Sequence, residues 1–247
     1  MPDELARAWA FLDRADMAGE RAVGSSVGTA IYDDQVPLRL DANFLRVERP
    51  AEAGDVLAEA ERLGRRMIVF RSTDEGERLA PFFAERGWLV RRHLLMAQLR
   101  DPADGADLGL VEEVAEEELR PARRRVVEGE PWSKPEVMAQ LFAGKHRIGE
   151  RVSARFFAVK LGGEVVSYSD LYQDTDEAQV EDVGTLPEHR GRGYAKAVVL
   201  AAIAAARADG AGFVFLVADR DDWPKELYRR LGFDELGYFV KLVSPGA

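Results

Sequence analysis

The sequence predicts an α/β chain made of two halves of related design. Three observations predict it. Short apolar runs of strand length alternate with stretches whose apolar residues recur at helical spacing. A polar segment at 100–107, with three aspartates, a proline and a glycine, reads as a linker. A weak repeat lies across that linker. The gapless shift that lays Ile68, Val69 and Phe70 on Phe213, Val214 and Phe215 also lays Asp74 on Asp219, Gly87 on Gly232 and Leu94 on Phe239. Each copy reads as apolar strand, polar loop, short helix ended by glycine, and a further strand. The halves are taken as 1–104 and 105–247.

The first half has a helix at 53–63, a strand at 68–70, a short helix ended by Gly87 and a strand around Leu94 and Leu95. The second half opens with a short strand at 108–111, then helices at 116–128 and 135–144 with Pro131, Trp132 and Ser133 between them. Strands at 155–160 and 165–172 form a hairpin around Gly162 and Gly163, a turn-favouring pair. A strand at 178–185 leads through a glycine-bearing loop into a helix at 194–209, stopped by Gly210. In that helix Ala195, Val198, Val199, Ala202 and Ala206 make one apolar face, and its alanines let it lie close to a sheet. A buried-type strand follows at 213–218. The last helix has Asp221 and Asp222 as candidate caps, Pro224 in its first turn and Gly232 at its end.

Composition narrows the function classes. At 247 residues the chain suits one large domain or two of about 120. There is no cysteine, which removes disulfides, thiol nucleophiles and cysteine metal sites. The three histidines, at 93, 146 and 189, are widely separated, so no metal is expected. A net charge of −10 argues against nucleic acid and mildly favours a cationic or amine acceptor. The segment from Met1 to Arg7 is charged and lacks an apolar signal-peptide core. The longest apolar run, 197–206, is too short to span a membrane. A cytoplasmic protein without membrane contact is the expectation.

The loop at 183–196 carries the most information. Arg190, Gly193 and Ala195 fit R-x-x-G-x-A between a strand and a helix. Unpaired backbone N–H groups and the positive end of a helix dipole meet there, as a phosphate or pyrophosphate requires. Gly191 and Gly193 let backbone approach the anion closely. The plainer reading is a strand–turn–helix with solvated arginines. Pro187 three residues before Arg190, the preceding strand and the buried strand after the helix favour the anion loop. The motif G-x-x-x-x-G-K-[ST] is absent, and 191–196 lacks the third small residue of G-x-G-x-x-G.

The pattern V-x-x-x-P-x-x-R-G-x-G-x-A at 183–195 resembles the acetyl-CoA pyrophosphate loop of the GNAT superfamily of N-acetyltransferases. The run at 223–233 resembles that family's second signature, a short helix bearing a tyrosine and ending in Gly232 and Phe233. The resemblance covers 108–243. It departs at Asp219, where the family usually carries asparagine or a similar polar residue. With the repeat, it implies two GNAT-like acyl-CoA N-acyltransferase domains in tandem, with a mixed, mostly antiparallel sheet flanked by helices. The first would be degenerate, since 46–54 has no R-G-x-G and Phe83 stands where the second half has Tyr228. Its remaining roles would be packing and shaping the acceptor pocket.

The resemblance further implies acetyl-CoA as co-substrate, bound by Val183, Thr185, Arg190, Gly191, Arg192, Gly193, Tyr194, Ala195 and Lys196. It implies acetyl transfer to a primary amine of a small molecule by direct attack on the thioester. Tyr228 would be the general acid at the thioester sulfur; packing is its other reading. A glutamate on the strand feeding the loop often takes the amine proton, which points to Glu181, with Asp182 as the alternative. Successive strand residues face opposite sides of a sheet, so at most one of them should face the acceptor. Trp132 either lines the acceptor pocket or caps the core. Acylation of a protein amino group and a non-catalytic acyl-CoA sensor are the competing functions. Retention of Tyr228 beside an intact loop weighs against the sensor. A homodimer is left open as a further partner state.

Overall fold

Among the residues described, eleven strands form a single mixed sheet whose order is set by an exchange between the two halves. The computed structural model describes residues 2–15, 17–130 and 132–246; Met1 and Pro131, named above, lie outside them. The first half contributes α1 (Pro2–Arg14), β1 (Arg21–Gly24), β2 (Gly28–Tyr32), β3 (Leu45–Val47), α2 (Ala53–Arg62), β4 (Met67–Phe70), α3 (Thr73–Ala84) and β5 (Leu89–Gln98). The second contributes β6 (Val111–Val114), α4 (Glu116–Val126), α5 (Pro135–Gly149), β7 (Ser153–Leu161), β8 (Glu164–Asp174) and β9 (Glu177–Thr185). After these come α6 (Tyr194–Ala208), β10 (Phe213–Asp219), α7 (Pro224–Arg230) and β11 (Phe233–Val243).

The order is β1-β2-β3-β4-β11-β5-β10-β9-β8-β7-β6. Only β3 with β4 and β9 with β10 are parallel; the other pairs are antiparallel. β5 leaves β4 and pairs with β10, while β11 leaves β10 and pairs with β4. The two exchanged strands also pair with each other along nearly their whole length, from Phe233 with Gln98 to Val243 with Leu89. Apart from β6, the order reads the same from both ends once β1 to β5 are matched with β7 to β11. Cutting the chain at 104/105 therefore leaves the last strand of each half on the other half's side of the sheet.

Strand alternation places the core on both faces. Phe213 and Phe215 of β10, with Leu95 and Ala97 of β5, pack under Trp9, Phe11 and Leu12 of α1. Val214, Leu216 and Ala218, with Leu94 and Met96, pack under Val199, Ala202, Ile203 and Ala206 of α6. The alanine face of α6 meets the sheet as its spacing predicts. Helices α2 and α3 cover the first-half end through Val56, Ala60, Leu79 and Phe83. Among the described residues no helix is long and apolar enough to cross a membrane.

Three local expectations need correction. The segment expected as a strand at 108–111 is a 3₁₀ turn over Leu108–Leu110, and the strand is Val111–Val114. The Asp107 carboxylate accepts from Gly109 N at 3.0 Å and holds that turn. Helix α5 does not stop near Gly144 but runs to Gly149. Gly144 sits where the Arg39 stem crosses the helix; a Cβ there would meet Arg39 Cδ at 2.6 Å. Neither Asp221 nor Asp222 is the capping residue of α7; that position is Trp223, whose N–H donates to Asp222 Oδ1 at 2.7 Å.

Candidate active site

The site opens where two parallel strands part. Pairing of β9 with β10 ends at Val180 with Leu216, so 181–185 and 217–219 run on without that partner. Beside the gap, the register of β8 against β9 slips between Tyr168 and Asp170. At this bulge Asp182 adopts φ 48°, in the left-handed region that costs a non-glycine residue about 1–2 kcal/mol. Gly184 follows, against the Tyr168 ring, where a side chain would collide with Tyr168 Cζ and Oη.

A cleft of about 780 Å³ occupies the gap. Val183 and Thr185 of β9 line it, as do Arg190, Gly191 and Gly193 of the loop, and Tyr194, Ala195 and Lys196 at the start of α6. Gly193 is the residue preceding α6, with φ 82°, and Gly191 has φ 75°. Both glycines are thus favoured by backbone conformation. A Cβ built on either meets nothing within 4 Å, so the space in front of them is open. The first intrahelical bond runs from Ala197 N to Gly193 O, which leaves the preceding N–H groups as donors at the positive helix end.

The loop arginines are placed differently from one another. Arg190 lines the cleft and donates to Thr185 O at 3.3 Å. Arg192 is not among the lining residues; it is exposed and donates to Glu188 O at 3.5 Å. The Glu188 carboxylate pairs with Arg125 rather than with either loop arginine.

Tyr228 of α7 lines the same cleft. Its ring is buried beside Phe233, with centroids 6.1 Å apart. Tyr228 is thus packed in the core and also lines the cleft. Burial and the nearby carboxylates of Glu181, Asp182 and Asp222 push the Tyr228 phenol above its ordinary value.

A second cavity of about 230 Å³ is lined by Asp182 and Val127, the chain neighbours of Val183 and Val126 in the lining of the first. Glu181 and Asp182 both face this cavity. The expectation that at most one of them could do so is corrected by the bulge, which breaks the alternation of the pleat. The two carboxylates are held differently. Asp182 accepts from Arg123 Nε at 2.8 Å and pairs with Lys145 at 2.9 Å. Burial would raise its carboxyl, but Lys145 and Arg123 outweigh that and hold it below the usual range. Glu181 accepts from Gln179 Nε2 at 2.9 Å. Trp132 lines the cavity while 40% exposed, so it is no core indole.

Sequence reading missed the buried cluster beneath Asp182. Asp170 of β8, fully buried, receives Arg123, Lys145 at 2.7 Å and the Tyr172 hydroxyl at 2.9 Å. Arg123 also donates to Glu116 Oε1 at 2.7 Å. One signal was available: Asp170 lies inside the apolar stretch 165–172, where a carboxylate buried on both faces needs cationic partners. Among the described residues no group of three or more His, Asp or Glu could hold a metal ion.

Residues 112–233 match the family model described as "Acetyltransferase (GNAT) family". Just under half of the chain thus forms a domain similar to the GNAT acetyltransferases. The family's donor is an acyl-CoA, and the cleft between the α6 loop and Tyr228 suits one. Solved structures agree on the fold. A functionally unknown conserved protein from Staphylococcus epidermidis matches with TM-score 0.68 and 15% identity, over 92% of this chain and 94% of its own. A GCN5-related N-acetyltransferase from Kribbella flavida matches with TM-score 0.56 and 18% identity, over 98% and 95%. An acetyltransferase from the GNAT family of Colwellia psychrerythraea matches with TM-score 0.54 and 12% identity, over 99% and 97%. No curated protein matches the chain by sequence. The GNAT signature alone is found in the second half, while the structural likeness to the Kribbella protein runs through both.

Proposed function

We propose that this protein transfers the acetyl group of acetyl-CoA to a primary amine of a small molecule, working in the cytoplasm. The observation that carries this reading is the nearness of the Glu181 and Asp182 carboxylates to Tyr228, which lines the cleft with the anion loop. Glu181 and Asp182 themselves line the smaller cavity. When bound, acetyl-CoA supplies a thioester whose C–S bond breaks as a C–N bond forms, while one proton leaves the amine and one reaches the departing sulfur. In this reading Val183, Thr185, Arg190, Gly191, Gly193, Tyr194, Ala195 and Lys196 hold the donor; Arg192, outside the lining, contributes charge at the rim.

Glu181 takes the amine proton. Asp182 is tied to Arg123 and Lys145, and it fixes the bulge that presents Glu181. Tyr228 donates to the leaving sulfur. A thiol has a pKa near 8.5 and a free phenol near 10, so Tyr228 with its raised value gives chiefly a hydrogen bond to the thiolate. The size of the second cavity supports a small acceptor. At about 230 Å³ it is smaller than the ~300–1,000 Å³ of ordinary ligand pockets. A protein amino group would have to enter as an extended chain end.

The test is thiol release from acetyl-CoA over a panel of primary amines and peptide amino termini, with products identified by mass. N-acetylation of small amines is the expected result. Acylation of peptides alone would favour a protein acceptor. Binding of acetyl-CoA with no turnover on any amine would favour a sensor.

A further inference from the structure

Tyr168 of β8 is a second buried phenol, and the roles assigned above leave it unused. Only 2% of the residue is exposed. It lines the second cavity, to which the first half contributes Arg39 and Asp41. It belongs to the apolar cluster of Leu119, Ala122, Leu186 and Val198, and Arg123 Cζ lies 5.5 Å from its ring centroid. Across the strand pair it stands opposite Gly184, packed so closely that a Cβ at 184 would collide with its Cζ and Oη. The φ of Gly184 is not in the left-handed region, so backbone conformation does not call for glycine there. The approach of the phenol does. Gly184 in turn lines the cleft together with Val183 and Thr185. Tyr168 thus shares the cavity lining with Glu181 and Asp182, and it packs on the stretch of β9 that shares the cleft lining with Tyr228.

A buried tyrosine hydroxyl ordinarily has a hydrogen-bond partner. The Tyr168 hydroxyl has none among the described residues. The two carboxylates whose charge acts on it are engaged elsewhere. Asp182 receives Arg123 and Lys145, and Asp170 receives Arg123, Lys145 and the Tyr172 hydroxyl. Burial, with Asp182 and Asp170, raises the Tyr168 phenol well above its ordinary value against the pull of Arg123. The hydroxyl therefore keeps its proton and remains a donor.

We propose that the Tyr168 hydroxyl donates to the carbonyl oxygen of the thioester and holds the negative charge which that oxygen takes up when the amine attacks. This rests on the transferase reading above. As the C–N bond forms, the carbonyl π pair moves onto oxygen; as the pair returns, the C–S bond breaks. Tyr168 lends a hydrogen bond throughout and neither gains nor loses a proton, so the reaction balance is unchanged. A donor already in place strengthens as charge develops and needs no reorganisation at that moment. Its position favours the oxygen over the sulfur. Tyr228 lines the cleft, Tyr168 lines the cavity with Glu181, and the carbonyl carbon stands between the sulfur that leaves and the amine that enters.

The experiment compares the native full-length protein with Tyr168→Phe, which keeps the ring over Gly184 and removes only the hydroxyl. With the best amine of the panel, kcat should fall by about 10²–10³-fold, while KM for that amine and the dissociation constant of acetyl-CoA move by less than about threefold. The melting temperature of the unliganded protein should not fall, because the lost hydroxyl leaves no partner behind. Infrared spectra of bound acetyl-CoA, isotope-labelled at the carbonyl carbon, give a readout independent of turnover. The carbonyl band should lie at lower frequency in the native protein than in Tyr168→Phe. A kcat within about threefold of native, or the same band in both proteins, would overturn the proposal. A raised KM for the amine with kcat unchanged would overturn it as well, by placing the hydroxyl on the acceptor. If no amine releases thiol, the transferase reading fails, and the infrared comparison alone decides whether the phenol meets the carbonyl.

Discussion

Tyr228 concentrates the chemistry at the scale of one residue. Its ring is fixed by core packing against Phe233, and the residue lines the cleft that holds the loop glycines. Removing only the hydroxyl leaves that packing intact. Tyr228→Phe is therefore expected to lower kcat by about 10²–10⁴-fold, with acetyl-CoA affinity by calorimetry changed little. An unchanged kcat would assign Tyr228 to packing alone. The pH dependence follows from the same burial. A phenol raised above 10 by burial and by Glu181, Asp182 and Asp222 keeps its proton through the alkaline range in which free amine accumulates. The rate should climb with pH as the acceptor loses its proton and should not fall below about pH 10 through Tyr228. An alkaline limb centred below pH 9 in the native protein, and missing from Tyr228→Phe, would contradict that assignment. Gly193 is equally specific: at φ 82° any larger residue strains the start of α6 and fills the open space before the loop. Gly193→Val should abolish most acetyl-CoA binding.

At the scale of elements, the ionic cluster ties α4, α5, β8 and β9 into one rigid corner. Arg123 is its hub, buried and donating to Glu116, Asp170 and Asp182. Arg123→Met should cost about 3–5 kcal/mol in urea unfolding, because it takes from Asp170 and Asp182 the guanidinium they share and leaves them paired with Lys145. A loss below 1 kcal/mol would mean that water already reaches the cluster. This corner also shows where sequence reading stops. The strand and helix runs of the second half, its Gly162 and Gly163 hairpin and the helix opened by Gly193 were legible, because apolar period and glycine placement are local signals. The bulge at Asp182 was not, since it arises from a slip against β8 that no local pattern records. Arg123 lies in a helix with three acidic residues in its first turn and three arginines in its last, so its spacing alone reads as a solvated face. Its burial comes from Asp170, forty-seven residues along the chain.

The whole molecule depends on the exchange of β5 and β11, which local sequence could not reveal because either strand matches either partner in apolar pattern. The repeat does announce two similar halves, yet it is silent on which last strand belongs to which sheet region. The consequence is mechanical. Residues 105–247 alone would lack β5, leaving β10 without the neighbour it pairs with from Phe215 to Asp219, and leaving β11 without both of its partners. They would also lack α1, whose Trp9, Phe11 and Leu12 cover Phe213, Phe215 and Phe239. Each piece would expose long sheet edges and core aromatics, the conditions that favour aggregation. We expect residues 105–247 expressed alone to show no cooperative melting and no near-ultraviolet dichroism. Co-expression with residues 1–104 should restore a one-to-one complex, because the exchanged strands bring most of the pairing across the break. That complex should regain thiol release. A soluble 105–247 fragment that melts cooperatively with native kinetics would show that β11 can fold back onto β10 in place of β5. The first half would then be dispensable for the fold, and the acceptor wall it supplies would be its remaining reason to be there.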